Sequence, residues 1–213
     1  MQSNQDRSTR ETILHLLKTN GELSAKELTE RLDITSMAVR RHIDNLERDG
    51  FVASRTVRQP MGRPTAVFQL TERSEALFPN RYHAVALDLL SELEQESGQA
   101  TVARLFERRK DSLYKKYAGY MENRSFEDKV SLLARIQNEN GYMAEWERRA
   151  DGEYVLIEHN CPISQIANKY DHACKCELQL FEELLDAHVA RPECLAKGGK
   201  KCMYTIRRRE KEA

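Results

Sequence analysis

The first 160 residues of this 213-residue chain contain no cysteine. No apolar run approaches the ~18 residues that a membrane helix needs. The opening MQSNQDRSTRET has no apolar segment of the kind a secretion signal carries, so a cytoplasmic protein with reduced thiols and no membrane partner is expected. Net charge is also missing: 34 basic residues balance 34 acidic ones. Only the local distribution of charge can therefore point to a polyanionic partner. There is no glycine-rich cofactor loop, no CxxC redox pair, no Ser/His/Asp set and no internal repeat. These absences argue against an enzyme. What remains is a polar chain with 40% apolar residues, enough for real cores and for two small domains.

All five cysteines, Cys161, Cys174, Cys176, Cys194 and Cys202, fall in the last quarter of the chain. Their odd number and the missing secretion signal disfavour a disulfide set. Thiolates are soft ligands suited to zinc or to iron–sulfur clusters. A single buried cysteine is readily a small hydrophobe; a group so confined is harder to explain that way. Cys161 follows an expected strand and precedes Pro162, Cys174 lies in an expected helix over 171–185, and Cys202 opens a last strand after Gly198-Gly199. The close pairs of a zinc ribbon are lacking. The one close pair, Cys174 and Cys176, would point about 200° apart on a helix, which makes Cys176 a spectator. His159 and His172 are expected beside the site and not among its ligands.

The N-terminal pattern is sharper. Ser8 or Thr9 can cap a helix carrying Ile13, Leu16 and Leu17 on one face. Ser24-Ala25-Lys26-Glu27 is a capping box for a second helix, with Ala25, Leu28 and Leu32 inward. After a turn at Asp33-Ile34, Thr35 or Ser36 caps a third helix with Val39, Ile43 and Leu46 inward and Gly50 as its stop. Residues 51–57 and 65–70 read as two strands around the loop RQPMGRP. Three helices and a hairpin predict a winged helix-turn-helix. Arg40 and Arg41 lie off the apolar stripe and can bond guanine or phosphate. Thr35 and Ser36 can donate to phosphate at the helix start. Arg55, Arg58 and Arg63 put positive charge on the wing. From Ser36 to Pro64 six arginines face three acids, in a chain of zero net charge. The stretches SMAVRRHIDNLERDGFV and GRPTAVFQLT resemble the DeoR-like and ArsR-like winged-helix regulators over residues 8–72.

Residues 73–140 predict amphipathic helices over 82–96, 101–120 and 125–136, of the kind that pairs across a two-fold axis. Alternation over 142–149, then Asp151-Gly152 and Tyr154-Val155-Leu156-Ile157, predicts a hairpin. The expected fold is thus α+β. It comprises a winged helix-turn-helix DNA-binding domain over 1–72, a helical linker and dimerisation segment over 73–140, and a cysteine-rich sensory domain over 141–213.

HNCPI, the C-x2-E of Cys174 and Glu177, and GGKKCMYTI resemble the SufR-type regulators. The resemblance implies a homodimeric repressor that binds a palindromic DNA operator. It also implies an iron–sulfur cluster, [4Fe-4S] in type, as the redox or iron sensor controlling cluster-assembly genes. Some members space their ligands C-x12-C-x13-C-x14-C. This chain matches at Cys161 and Cys174, and at Cys202 with a one-residue difference, but it has His188 in third place. The fourth ligand is therefore open among Cys194, His188, Cys176 and an external group, with Cys194 favoured; imidazole can replace thiolate on iron. A zinc-stabilised or small-molecule-sensing regulator is the alternative within this class. An iron–sulfur or thiol redox enzyme with a DNA-binding appendage is the alternative outside it.

Overall fold

A computed structural model describes residues 8–60 and 62–209, which fall into two units divided between Asn80 and Arg81. Three short side chains start the helices of the first unit. The Ser8 hydroxyl accepts from the Glu11 amide, and the Glu11 carboxylate accepts from the Ser8 amide, opening α1 (Thr9–Asn20). Ser24 and Glu27 repeat this reciprocal cap at α2 (Ala25–Leu32). The Thr35 hydroxyl accepts from the Ala38 amide at α3 (Ser36–Arg48). Each such cap is worth about 1 kcal/mol. Asp33, with φ +52°, makes the tight turn between α2 and α3.

The hairpin is β2 (Val52–Val57) and β3 (Thr65–Leu70), paired antiparallel from Val52 opposite Leu70 to Val57 opposite Thr65. A two-residue strand, β1 (Leu23–Ser24), was not expected and adds to β3, giving the order β1-β3-β2. Ile13, Leu17, Leu28, Val39, Ile43, Leu46 and Val52 form the core, each contributing about 1.5–3 kcal/mol by burial. Ala25 and Leu32 are only partly buried at its edge. Met61, in the expected wing loop, lies outside the described residues.

The second unit opens with α4 (Tyr82–Ser97), α5 (Gln99–Met121) and α6 (Phe126–Glu139). β4 (Ala144–Arg148) and β5 (Tyr154–Glu158) form a hairpin. Next come α7 (Ser164–Lys169), α8 (Asp171–Leu185), β6 (Ala187–Glu193) and β7 (Cys202–Arg208). The sheet is antiparallel in the order β4-β5-β7-β6. Its inner face carries Tyr154, Leu156, Tyr204, Ile206, Ala187 and Val189, packed with Val130 and Leu133 of α6 and Phe181 and Leu185 of α8. The helices over 82–139 thus share a core with the sheet and do not stand apart from it. The α4 stripe is the exception: Val85 is 56% exposed and Leu89 66%. Among the described residues no helix is long and apolar enough to cross a membrane.

Candidate metal centre and nucleic-acid interface

α8 is the element that sorts the cysteines. Its residues 174 and 176 leave the helix on opposite sides. Cys174 lies in the core shared with the sheet. Cys176 faces α5, where Glu107, Lys110 and Asp111 surround it. Cys202 opens β7, opposite Glu158 on β5. Cys194 ends β6 and is buried. Its Sγ accepts a long contact from the Cys202 Sγ at 4.0 Å, and it also interacts with Cys174 and, more weakly, with Cys161. Cys174 and Cys202, from two other segments, thus approach Cys194, and Cys161 lies near enough to feel its charge. His188 does not join them: it sits opposite Arg207 at an exposed position of β6, while its neighbours Ala187 and Val189 point into the core.

The loop between β6 and β7 is built to hold Cys194 in place. The Lys197 and Gly199 amides both donate to the Cys194 carbonyl, at 3.0 and 2.9 Å. A Cβ on Gly199 would lie 2.8 Å from that carbonyl oxygen and 2.8 Å from the Glu193 Cγ. Only glycine fits there, which accounts for the second glycine of GGKKC.

Two backbone amides are aimed at sulfur. Leu195 N–H donates to the Cys202 Sγ at 3.4 Å, and Ile163 N–H donates to Cys161. A half-buried cation completes the surroundings. Arg191 of β6 donates through Nη1 to the Cys174 carbonyl at 3.0 Å and lies over the Tyr204 ring. Burial opposes its charge, but Tyr204, Cys194 and Cys174 outweigh burial and hold the guanidinium above its usual value. The same burial pushes the free thiols up, Cys174 and Cys202 to about 12 and Cys161 to about 11. Without a metal these groups are neutral thiols, so a metal that binds them must displace protons.

Beneath the thiols lies a carboxylate pair. Glu158 has no exposure; Gln137 Nε2 donates to it at 2.6 Å, and the Tyr204 hydroxyl is 3.3 Å away. The Tyr204 hydroxyl donates to Glu177 at 2.8 Å, and Tyr142 bonds Glu177 as well. Burial, then the Glu177 charge, pushes the Glu158 carboxyl up to about 8. Sequence reasoning singled out Glu177 but neither Glu158 nor Arg191. A signal existed for Glu158, which shares the inward period of Tyr154 and Leu156. None existed for Arg191, because β6 itself was not foreseen.

A tetrahedral zinc with bonds of about 2.3 Å needs sulfurs roughly 3.8 Å apart. Cys194 and Cys202 meet that spacing, but among the described residues no three His, Cys, Asp or Glu side chains are grouped to hold one ion. A cluster is larger than an ion and spreads its ligands further. Four thiols, two amide donors to sulfur and a half-buried arginine suit one.

In the first unit, Ser36, Met37, Arg40 and Arg41 are exposed on α3, with Met37 82% exposed. Arg40 and Pro64 border a shared hollow between α3 and the wing. Arg58 and Arg63 are exposed in the hairpin loop. No ion pair among the described residues engages Arg40, Arg41, Arg58 or Arg63. Arg55 differs: its guanidinium grips the Glu22 carboxylate through Nε at 2.7 Å and through Nη2. The unpaired guanidiniums lie on the recognition helix and the loop, the two places where a winged helix meets a base edge and a phosphate.

The family described as winged helix-turn-helix DNA-binding matches residues 6–53. No curated protein matches the chain. Among solved structures, reduced YodB from B. subtilis is 23% identical, over 42% of this chain and 80% of its own, with a TM-score of 0.30. Reduced HlyU from Vibrio cholerae N16961 is 28% identical, over 44% and 80%, with a TM-score of 0.28. Bacillus subtilis PadR in complex with operator DNA is 17% identical, over 64% and 94%, with a TM-score of 0.31. These are partial likenesses. The first unit is a winged helix-turn-helix of DNA-binding type, matched in both pattern and fold.

Proposed function

We propose that this protein is a transcriptional repressor that senses redox state or iron through an iron–sulfur cluster held by Cys161, Cys174, Cys194 and Cys202. The observation that carries the reading is the approach of the Cys174 and Cys202 thiols to Cys194 beside Arg191, with Cys161 near enough to feel the Cys194 charge. When bound, the cluster supplies reversible electron and iron chemistry. The chain's own residues do the rest. Cys161, Cys174, Cys194 and Cys202 give up protons to become ligands. Arg191 offsets the negative charge that their thiolates bring into the core. The Leu195 and Ile163 amides stabilise charge on sulfur, and Gly199 lets the loop close on Cys194.

α3 and the wing would read and grip a DNA operator. The exposed apolar side chains of α4, Tyr82, Val85 and Leu89, support a homodimer, and a two-fold dimer matches a palindromic operator. The resemblance to SufR-type regulators suggests cluster-assembly genes as the target. Anaerobic purification tests the cofactor. The protein should be brown, with iron and acid-labile sulfide in similar amounts; a colourless protein carrying zinc would overturn the cluster.

A further inference from the structure

On the other side of α8 from Cys174 lies a cavity of about 110 Å³, walled by α5, α6 and α8. Leu113, Leu133, Leu180 and Phe181 line its apolar side, and Gln137, Asn140 and Glu177 its polar side. Its volume is comparable to that of engineered cavities, about 150 Å³, that take up benzene. One aromatic ring is therefore the right size of guest.

The charged groups at its edge determine the guest's polar end. Lys110 is held by the Glu183 carboxylate at 2.5 Å and is not free. Glu177 is turned toward Tyr204, Tyr142 and Arg191. Arg109 is exposed and has no ion-pair or hydrogen-bond partner among the described residues, yet it borders the cavity. A guanidinium free of hydrogen bonds at the rim of a partly apolar pocket, whose charge also acts on Glu177, matches a carboxylate on an apolar body. The Cys176 thiol lines the wall.

We infer that this cavity is a second ligand site, distinct from the four-thiol centre, which takes a single-ring aromatic carboxylate with its ring among Leu133, Leu180 and Phe181 and its carboxylate on Arg109. Pro162 also lines the cavity and adjoins Cys161, so an occupant would lie one residue from the thiol centre. The site itself needs no cluster.

Three probes with the same ring test it on the full-length protein by calorimetry: benzoate, benzyl alcohol and benzylamine. Benzoate should bind saturably and best, and benzylamine worst. Arg109→Met keeps the aliphatic stem and removes the charge. It should weaken benzoate about tenfold, equivalent to ~1.4 kcal/mol, and leave benzyl alcohol unchanged. Cys176→Met fills the wall and should weaken all three probes. Should that variant not fold, the unmodified protein gives the same information: benzoate should slow alkylation of Cys176, read by peptide mass spectrometry. Iron-free protein should bind benzoate too, which separates this site from the metal reading. Three results would overturn the site: no saturable binding of benzoate, benzylamine binding as well as benzoate, or Arg109→Met binding benzoate undiminished.

Discussion

A carboxyl with no solvent exposure, as at Glu158, must be protonated or hydrogen-bonded on every side. Its pKa, pushed up to about 8 by burial and Glu177, gives the metal-free protein a definite pH dependence. Between the ordinary value of 4.5 and about 8, the folded state keeps a proton that the unfolded chain has released. That stabilisation is full at low pH and is lost as pH rises through about 8. The melting temperature of the iron-free protein should therefore fall from about pH 5 to 8, and Glu158→Gln should flatten the fall. A flat profile in the unmodified protein would contradict this. Gly199 is the other demanding position, because an added Cβ meets the Cys194 carbonyl oxygen at 2.8 Å. Gly199→Ala should cost about 1–3 kcal/mol of stability in denaturant melts by overpacking, and should impair cluster loading more than Cys176→Ser does.

At the level of elements, the DNA-binding half was readable because each of its signals is local. Ser8, Ser24 and Thr35 cap the helices expected of them, and the Val39, Ile43, Leu46 stripe faces inward. The second unit was readable only in part. β6 follows α8 with no glycine or proline between them; Asp186 makes the turn at φ +48°, which few non-glycine residues adopt. Missing that strand hid Arg191 and left open the choice between Cys194 and His188. The three-dimensional meeting of Cys174 with Cys194 has no counterpart in sequence spacing. Helical periodicity also says nothing of what covers a stripe, as exposed Val85 and Leu89 show. For the recognition helix, Arg40→Ala or Arg41→Ala should lose about 1–3 kcal/mol of operator affinity, whichever reads a base. Arg63→Ala should weaken binding to all DNA alike and lower the salt slope by about 1. Filter-binding titrations across a salt series would measure both.

At the level of the whole molecule, a repressor on a palindrome must be a dimer. Sedimentation equilibrium should give about twice the 24.7 kDa of one chain, and Leu89→Asp on α4 should shift the protein toward monomer. The central claim is that the cluster controls DNA binding, and it is tested most directly by measuring operator affinity and iron content on the same anaerobic preparations. The comparison is between cluster-loaded protein, the same sample after its iron is removed, and the Cys161→Ser, Cys174→Ser, Cys202→Ser triple variant. Affinity should fall about tenfold or more as iron is lost, ~1.4 kcal/mol at least, and the triple variant should match the iron-free sample. A triple variant that binds the operator as tightly as the cluster-loaded protein would contradict the account.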